Sequence, residues 1–189
     1  IINAAQGKIK ADIVLKNGKV IDVLNHRITE GNVAVKDGVI LGIGEYEGIK
    51  EIDVKGAYIA PGFVDSHVHI ESAMVTPSQY AKAVMPKGVT TIIADPHEIA
   101  NVKGEDGLAF MIKDSENSPL EIHYMLPSCV PATPFDNSGC VIDGDKTCEL
   151  LKKYKFLGLG EMMNYPGVAG CVPCLLYTSD AADDRISVD

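Results

Sequence analysis

Hydrophobic residues in the first sixty positions alternate with polar ones over short runs that end at turn-forming residues. Alternation with a period of two predicts half-buried β-strands, and Asn-Gly or Asp-Gly between two such runs predicts a tight hairpin. Asn17-Gly18 and Asp37-Gly38 both occupy this position. We therefore expect residues 1–60 to form a small module of short antiparallel strands.

From residue 61 the pattern changes to apolar strands that alternate with helices. Thr76, Pro77 and Gln79 are the residue types of a helix start with a capping box. Alternating strands and helices predict a parallel sheet, and the lack of a glycine-rich phosphate turn favours a (β/α)8 barrel over an open doubly wound sheet. Such a barrel needs about 250 residues, so we expect only its first half, in residues 61–173. The expected strands are 62–69, 89–94, 122–126 and 156–160, and the expected helices 76–85, 105–115 and 145–153.

The last residues, 174–189, break this pattern. They are acidic and have no clear helical or strand period, and with Cys174 they resemble a translated sequencing-adapter read-through. We expect this segment to be a non-native tail that plays no part in the fold. Because the chain also begins at Ile1 and not at Met, we expect it to be a fragment of a longer protein.

Composition and charge narrow the class of protein. Apolar residues make up 46% of the chain and charged residues 23%, which is typical of a globular protein. The net charge of −9 argues against binding to nucleic acid, and no apolar run approaches the roughly 18 residues of a membrane span. Five cysteines, an odd number in a chain that opens on no secretory leader, favour reduced thiols and a cytoplasmic location.

Two histidines at the end of the first expected barrel strand are the strongest candidate for a metal site. His67 and His69 are two residues apart, so both side chains leave the same face of a strand, and Asp65 shares that face. Paired imidazoles with a nearby carboxylate can hold one metal ion. The alternative is a pair of surface histidines.

Further candidates follow the second, third and fourth expected strands. His97 and Glu98 lie in an Asp-Pro-His-Glu loop, where substrate contact, proton relay and a further metal contact all stay open, as does a loop histidine paired to its neighbouring carboxylate. Glu161 could bridge two metal ions across the barrel mouth, although its spacing alone favours a solvated or capping glutamate. The position of His123 inside a strand favours a buried core histidine.

Five sequence runs carry a resemblance to a known family. Residues 61–69, Pro-Gly-Phe-Val-Asp-Ser-His-Val-His, resemble the first strand of the amidohydrolase superfamily barrel, which usually follows a small β-sandwich. Four longer runs resemble the bacterial adenine deaminases of that superfamily, and together the resemblance covers about residues 8–170. These four runs are 67–72, 94–102, 125–134 and 158–168.

This resemblance implies a mixed α/β fold, with part of a small β-sandwich followed by the first four strands of a metal-dependent barrel. It implies hydrolytic deamination of adenine to hypoxanthine and ammonia by a metal-activated hydroxide, as in purine salvage. His67 and His69 would bind one metal, and Glu161 would bridge a binuclear centre of Mn²⁺ or Fe²⁺, or of Zn²⁺. His97 and Glu98 would take catalytic roles.

The remaining ligands of the family, two histidines and an aspartate, are expected outside this chain. We therefore expect the chain itself to be inactive and the full-length protein to be a homo-oligomer. Two alternatives stay open: an amidohydrolase that acts on a cyclic amide or an N-acetyl sugar, and a metal-binding fragment that is not an enzyme. The enzymes of the first alternative share the His-x-His run, but the Asp-Pro-His-Glu and Gly-Glu-Met-Met-Asn-Tyr runs are not expected in them.

Overall fold

The computed structural model describes residues 1–172, and the chain divides into two compact units between residues 61 and 62. The first unit is a five-stranded sheet in the order β3-β2-β1-β4, with β5 also paired to β1. A hydrophobic cluster in this unit contains the buried residues Ala11, Val14 and Ala34, against which Leu41 and Tyr46 pack. The elements are α1 Ile2–Ala5, β1 Ala11–Asp22, β2 Arg27–Lys36, β3 Val39–Ile43, β4 Gly48–Asp53 and β5 Tyr58–Ile59.

The first unit differs from the expected antiparallel module in its pairing. The β1–β2 and β2–β3 pairs are antiparallel, but β4 and β5 both pair with β1 in parallel. The prediction of antiparallel strands throughout is therefore wrong. Within residues 1–61 these strands form one sheet, so the β-sandwich stays a prediction.

The predicted hairpin at Asn17-Gly18 is wrong, because β1 runs straight through it with a bulge between Leu15 and Gly18. Asn17 has a φ of 58° and donates its side-chain amide to Asp53 Oδ1 at 3.0 Å. A Cβ on Gly18 would overlap the Ile59 side chain, so this glycine allows a close contact within the sheet. The hairpin at Asp37-Gly38, which joins β2 to β3, is confirmed.

The second unit is built on a three-stranded parallel sheet in the order β6-β7-β8, as predicted for the first three barrel strands. Its strands are β6 Phe63–Val68, β7 Val89–Ala94 and β8 Glu121–Tyr124. Its helices are α2 Pro77–Val84, α3 His97–Ser115, α4 Gly144–Lys153 and α5 Tyr165–Ala169, with 3-10 turns at Glu71–Ala73 and Met85–Lys87. The core between sheet and helices includes Ile70, Ile92, Leu108, Leu126 and Leu150, all fully buried.

The fourth predicted strand, residues 156–160, is wrong as a regular strand and forms only one parallel bridge, from Leu159 to Leu126. The amide of Leu126 donates to the Gly158 carbonyl at 2.9 Å, and the amide of Gly160 donates to the Leu126 carbonyl at 2.7 Å. Two glycines in five residues weaken a strand. The segment nevertheless lies beside the extension of β8, at the place where a fourth strand would lie.

Helix α3 begins at His97, eight residues before the predicted helix 105–115. The helix breaks at Gly104, whose φ is 56° and where a Cβ would crowd the Cys140 sulfur. His97 and Glu98 therefore lie in the first turn of a helix and not in a loop. This difference fixes the direction in which both side chains leave the backbone.

Two further predictions, the capping box of α2 and the buried position of His123, are not borne out by the structure. The capping box of α2 is wrong, because the Ser78 amide donates to Asp114 Oδ2 at 2.7 Å and Thr76 makes no side-chain cap bond. His123 is not a core histidine: its side chain is 43% exposed and lies 3.2 Å from Glu121 Oε1. The neighbouring Tyr124 on β8 faces the buried side instead.

No helix within residues 1–172 is long and apolar enough to cross a membrane.

Glu105 joins α3 to α4 through an ion network. Its carboxylate lies 2.7 Å from Lys146 Nζ and 2.5 Å from Lys153 Nζ, and it accepts a hydrogen bond from the Tyr154 hydroxyl at 3.2 Å. The hydrogen bonds from Lys146 and Lys153 lower the pKa of Glu105 to about 2. A carboxyl group whose pKa is lower in the folded than in the unfolded state stabilises the fold at pH values above its unfolded-state pKa. This contribution is lost as the pH falls towards the folded-state pKa.

We expect Glu105→Gln to lower the free energy of unfolding by about 1 kcal/mol at pH 7, because solvent screens the partly exposed partners. The difference from the unchanged chain should shrink steadily as the pH falls from 4.5, the ordinary pKa of a glutamate, towards the folded-state pKa of about 2. Urea unfolding between pH 7 and pH 3 measures it. Glu116→Gln, an exposed position at the end of the same helix, is the control; an equal effect there would contradict the assignment.

Candidate metal centre

The candidate site lies at the carboxyl ends of the parallel strands of the second unit. His67 is near the end of β6, His69 follows β6 directly, and Asp95 follows β7. Glu161 follows the segment that is bridged to Leu126. Because neighbouring parallel strands end at the same edge of a sheet, these four side chains converge.

Three donor atoms of the predicted site residues lie close together. His67 Nε2 is 3.0 Å from His69 Nε2, and Glu161 Oε1 is 3.2 Å from His69 Nε2 and 3.7 Å from His67 Nε2. Two imidazole nitrogens and a carboxylate oxygen on one tetrahedral ion, each about 2.0–2.1 Å from it, would be about 3.3 Å apart. The spacing and the donor types both fit a divalent metal ion.

The tautomer of His69 is set by a backbone carbonyl. His69 Nδ1 lies 2.8 Å from the Asp95 carbonyl oxygen, which can only accept, so Nδ1 carries the proton and donates. In the neutral ring the lone pair is then on Nε2, the atom that faces Glu161 and His67. The expected partner Asp65 does not orient the histidines in this way, because its carboxylate instead accepts from the His67 backbone amide at 3.3 Å.

His97 and Asp95 form a second group around the same glutamate oxygen. His97 Nδ1 lies 3.7 Å from Asp95 Oδ2 and 3.8 Å from Glu161 Oε1, and its ring centroid is 4.6 Å from that of His69. His97 Nδ1 and Asp95 Oδ1 are both buried and have no hydrogen-bond partner. Buried polar atoms without partners are costly, so this group also suits a cation or a substrate atom.

Asp95 is a site residue that the sequence prediction missed. It is only 3% exposed and accepts a hydrogen bond from the Glu161 backbone amide at 3.1 Å. The signal that could have found it is an acidic residue directly before a proline and directly after a strand of β-branched and apolar residues. A charged side chain in that place is buried and needs a partner.

The electrostatics of the site favour a bound cation. Burial raises the pKa of Asp95, although the nearby His97 and the amide of Glu161 oppose this effect. Burial opposes a charge on His69, but the Asp95 carbonyl and the carboxylates of Asp95, Glu161 and Glu98 together raise the pKa of His69. Carboxylates thus crowd the three histidines, and a divalent ion would relieve their repulsion.

Glu98 lies beside this group but outside the set of converging donor atoms. Its Oε1 accepts a short hydrogen bond from the Ser72 hydroxyl, while its Oε2 is buried without a partner. The neighbouring Glu71 accepts from the Ile99 amide at 3.2 Å, and burial raises the pKa of Glu71. The structure therefore brings His67, His69, His97 and Glu161 together. Glu98 lies beside them but does not belong to either group of converging donor atoms.

Comparison with known proteins shows the family to which the chain belongs. The Amidohydrolase family matches residues 58–169, more than half of the chain and all of the candidate site. The chain belongs to the amidohydrolase family. It is 52% identical over 168 residues to an adenine deaminase of Bacillus velezensis and 52% identical over 167 residues to that of Bacillus subtilis.

These alignments cover 89% and 88% of the chain but only 29% of each relative, so the chain spans about three-tenths of the curated relatives it matches. Among solved structures, an N-acyl-D-glutamate deacylase of Bordetella bronchiseptica complexed with zinc matches with a TM-score of 0.68 and 17% identity. That match covers 94% of this chain and 44% of the deacylase. A zinc-complexed atrazine chlorohydrolase of Arthrobacter aurescens matches with a TM-score of 0.63 and 17% identity, over 92% and 51%. Both likenesses support the amidohydrolase fold.

Gly160 leaves room for the Asp95 carboxylate, because a Cβ at residue 160 would overlap it. We expect Gly160→Ala to lower the free energy of unfolding by about 1–3 kcal/mol and to weaken binding of added Co²⁺, since Glu161 must move with its neighbour. Gly158→Ala is the matched control, because its Cβ would lie 3.3 Å from the flexible end of Met125. Urea unfolding and Co²⁺ titration measure both variants; equal losses for the two would contradict the explanation.

Proposed function

We propose that this chain carries part of the active site of an adenine deaminase. The observation that carries the proposal is the convergence of His67, His69 and Glu161 in a chain about 50% identical to curated adenine deaminases. The Asp-Pro-His-Glu and Gly-Glu-Met-Met-Asn-Tyr runs lie in the same part of the chain as these ligands. Because the candidate ligands converge in the structure, the assignment of adenine deamination rests on the geometry of the site as well as on sequence identity to the relatives.

We further propose that residues 61–173 are the first half of a (β/α)8 barrel and residues 1–60 part of a β-sandwich. The parallel order β6-β7-β8 and the bridge from Leu126 to Leu159 support four consecutive barrel positions. The predicted tail, residues 174–189, lies outside the described residues. The proposed barrel needs further strands, and these would supply the other ligands of a binuclear centre.

The reaction consumes one water and releases ammonia, so that the C6–N6 bond of adenine is replaced by a C6–O bond in hypoxanthine. A divalent ion, when bound, lowers the pKa of water and so supplies the nucleophile at neutral pH. His67, His69 and Glu161 would hold that ion. In the neutral ring, the hydrogen bond from His69 Nδ1 to the Asp95 carbonyl leaves the lone pair on Nε2, the nitrogen that would coordinate the ion.

His97 and Glu98 are proposed to act on the substrate. His97 Nδ1 has no hydrogen-bond partner and lies within 3.8 Å of Glu161 Oε1, a position from which an imidazole can move a proton. The buried Oε2 of Glu98 is a free acceptor that suits an N–H group of a purine. We propose Mn²⁺ or Fe²⁺, or else Zn²⁺, as the metal. We also propose a reducing, cytoplasmic compartment, because the described cysteines 129, 140, 148 and 171 are free.

A hybrid enzyme tests the activity. In it, the aligned segment of this chain replaces the matching segment of the Bacillus subtilis adenine deaminase. We expect the hybrid to release ammonia from adenine, to lose activity on chelation of its metal and to regain it with Mn²⁺ or Fe²⁺. Ammonia release and hypoxanthine formation are measured together. A soluble, metal-loaded hybrid that hydrolyses a dihydropyrimidine or an N-acetyl sugar but not adenine would refute the substrate.

Glu161→Gln in the same hybrid tests the metal ligand. The amide keeps the shape of the side chain but removes the charge that offsets repulsion between two cations. We expect loss of at least one metal ion per active site and of most of the turnover, measured by elemental analysis beside ammonia release. Glu149→Gln, which removes the same charge from an exposed position on α4, should change neither. Two retained metal ions and a near-normal rate would show that Glu161 does not bridge.

A further inference from the structure

Glu161 is held at its backbone, although it lies in no helix or strand. Its amide donates to Asp95 Oδ2 at 3.1 Å, and its carbonyl accepts from the Ser128 hydroxyl at 2.7 Å. Two residues later, the Met163 amide donates to the Cys129 sulfur at 3.3 Å. Side chains from the two preceding strand–helix connections thus replace the ladder that a regular strand would supply.

These contacts fix the direction of the Glu161 side chain. A hydrogen bond at the amide restrains one peptide plane and a hydrogen bond at the carbonyl restrains the next, so the Cα–Cβ bond between them has little freedom left. The carboxylate of Glu161 is then placed by its own side-chain torsions alone. Ser128 is only 4% exposed and Asp95 3%, so water has little access to these two partners.

We propose that Ser128 is a positioning residue for the metal centre, acting through the backbone of Glu161. This inference rests on the proposed role of Glu161 as a metal ligand. The Ser128 hydroxyl donates to the Glu161 carbonyl and also lies 3.8 Å from the Cys129 sulfur and 4.0 Å from the Met162 sulfur, and none of these partners is a candidate metal donor. Its hydroxyl holds the Glu161 carbonyl so that Oε1 stays within 3.2 Å of His69 Nε2.

A purely structural role for Ser128 would be to satisfy a buried carbonyl. In that case its removal would loosen the site whether or not Glu161 is a ligand. If Ser128 acts through Glu161, its effect on metal affinity must disappear once the Glu161 carboxylate is gone. A double-mutant cycle separates the two roles, because it isolates the term that the two residues share.

The experiment titrates the 189-residue chain with Co²⁺ and follows the visible absorption of the bound ion. The variants are Ser128→Ala, Glu161→Ala and the double variant. Changes in groups that orient metal ligands cost 10–100-fold in affinity. We expect Ser128→Ala to weaken Co²⁺ binding by about tenfold, at the lower end of this range, because Ser128 acts on the ligand only through the backbone. In the Glu161→Ala background the same change should have no further effect.

Ser115→Ala is the matched control, because its hydroxyl also donates to a backbone carbonyl, that of Met111 at 2.6 Å, but on α3 and away from the metal ligands. Co²⁺ affinity should be unchanged there. If Ser128→Ala does not fold by circular dichroism, Ser128→Cys keeps the shape with a weaker donor and takes its place. Ser128→Thr, which retains the hydroxyl, should keep most of the affinity.

Three results decide between the ideas. Unchanged affinity in Ser128→Ala, or an equal loss with and without the Glu161 carboxylate, would overturn the positioning role and leave Glu161 as a ligand. A Glu161→Ala variant that binds Co²⁺ as well as the unchanged chain would instead overturn the proposed metal centre. A loss that is confined to chains that retain Glu161 supports the inference.

Discussion

The buried residue Asp95 makes the hydrogen bonds on which the rest of the site depends. Through its side chain it accepts from the Glu161 amide, and through its backbone carbonyl it accepts from His69 Nδ1. The same side chain faces His97 Nδ1. One residue therefore sets the ring orientation of His69, the backbone position of Glu161 and the electrostatic surroundings of His97. Burial of the Asp95 carboxylate costs free energy, and these partners offset that cost only while they stay within contact distance of it.

The parallel sheet makes this arrangement possible. Its strands end at one edge, so side chains that are distant in the sequence become neighbours without long loops. The His67 and His69 pair could be predicted from the sequence, because a spacing of two on a strand puts both rings on one face. The parallel order of β6, β7 and β8 could be predicted as well, from buried apolar runs separated by helices.

The position of Glu161 could not be obtained from local signals. It follows a segment that forms a single bridge, and its place depends on hydrogen bonds to Asp95 and Ser128, which come from other connections. The predicted hairpin at Asn17-Gly18 failed for a similar reason, since a side-chain bond to Asp53 and contact with Ile59 make it a bulge. Thr76 likewise lost its capping role to Asp114 of another helix. Each failure lies where a long-range partner outweighs a local preference.

The absence of a side chain at residue 160 has a consequence for how such sequences can change over time. The space that a Cβ would occupy there is filled by the carboxylate of Asp95. A lineage that keeps Asp95 must therefore keep glycine, whereas one that replaces Asp95 by a smaller residue is free to accept a larger one. The two positions are distant in the chain but are coupled by this contact, and a larger residue at position 160 would push against Asp95 and disturb the glutamate that follows.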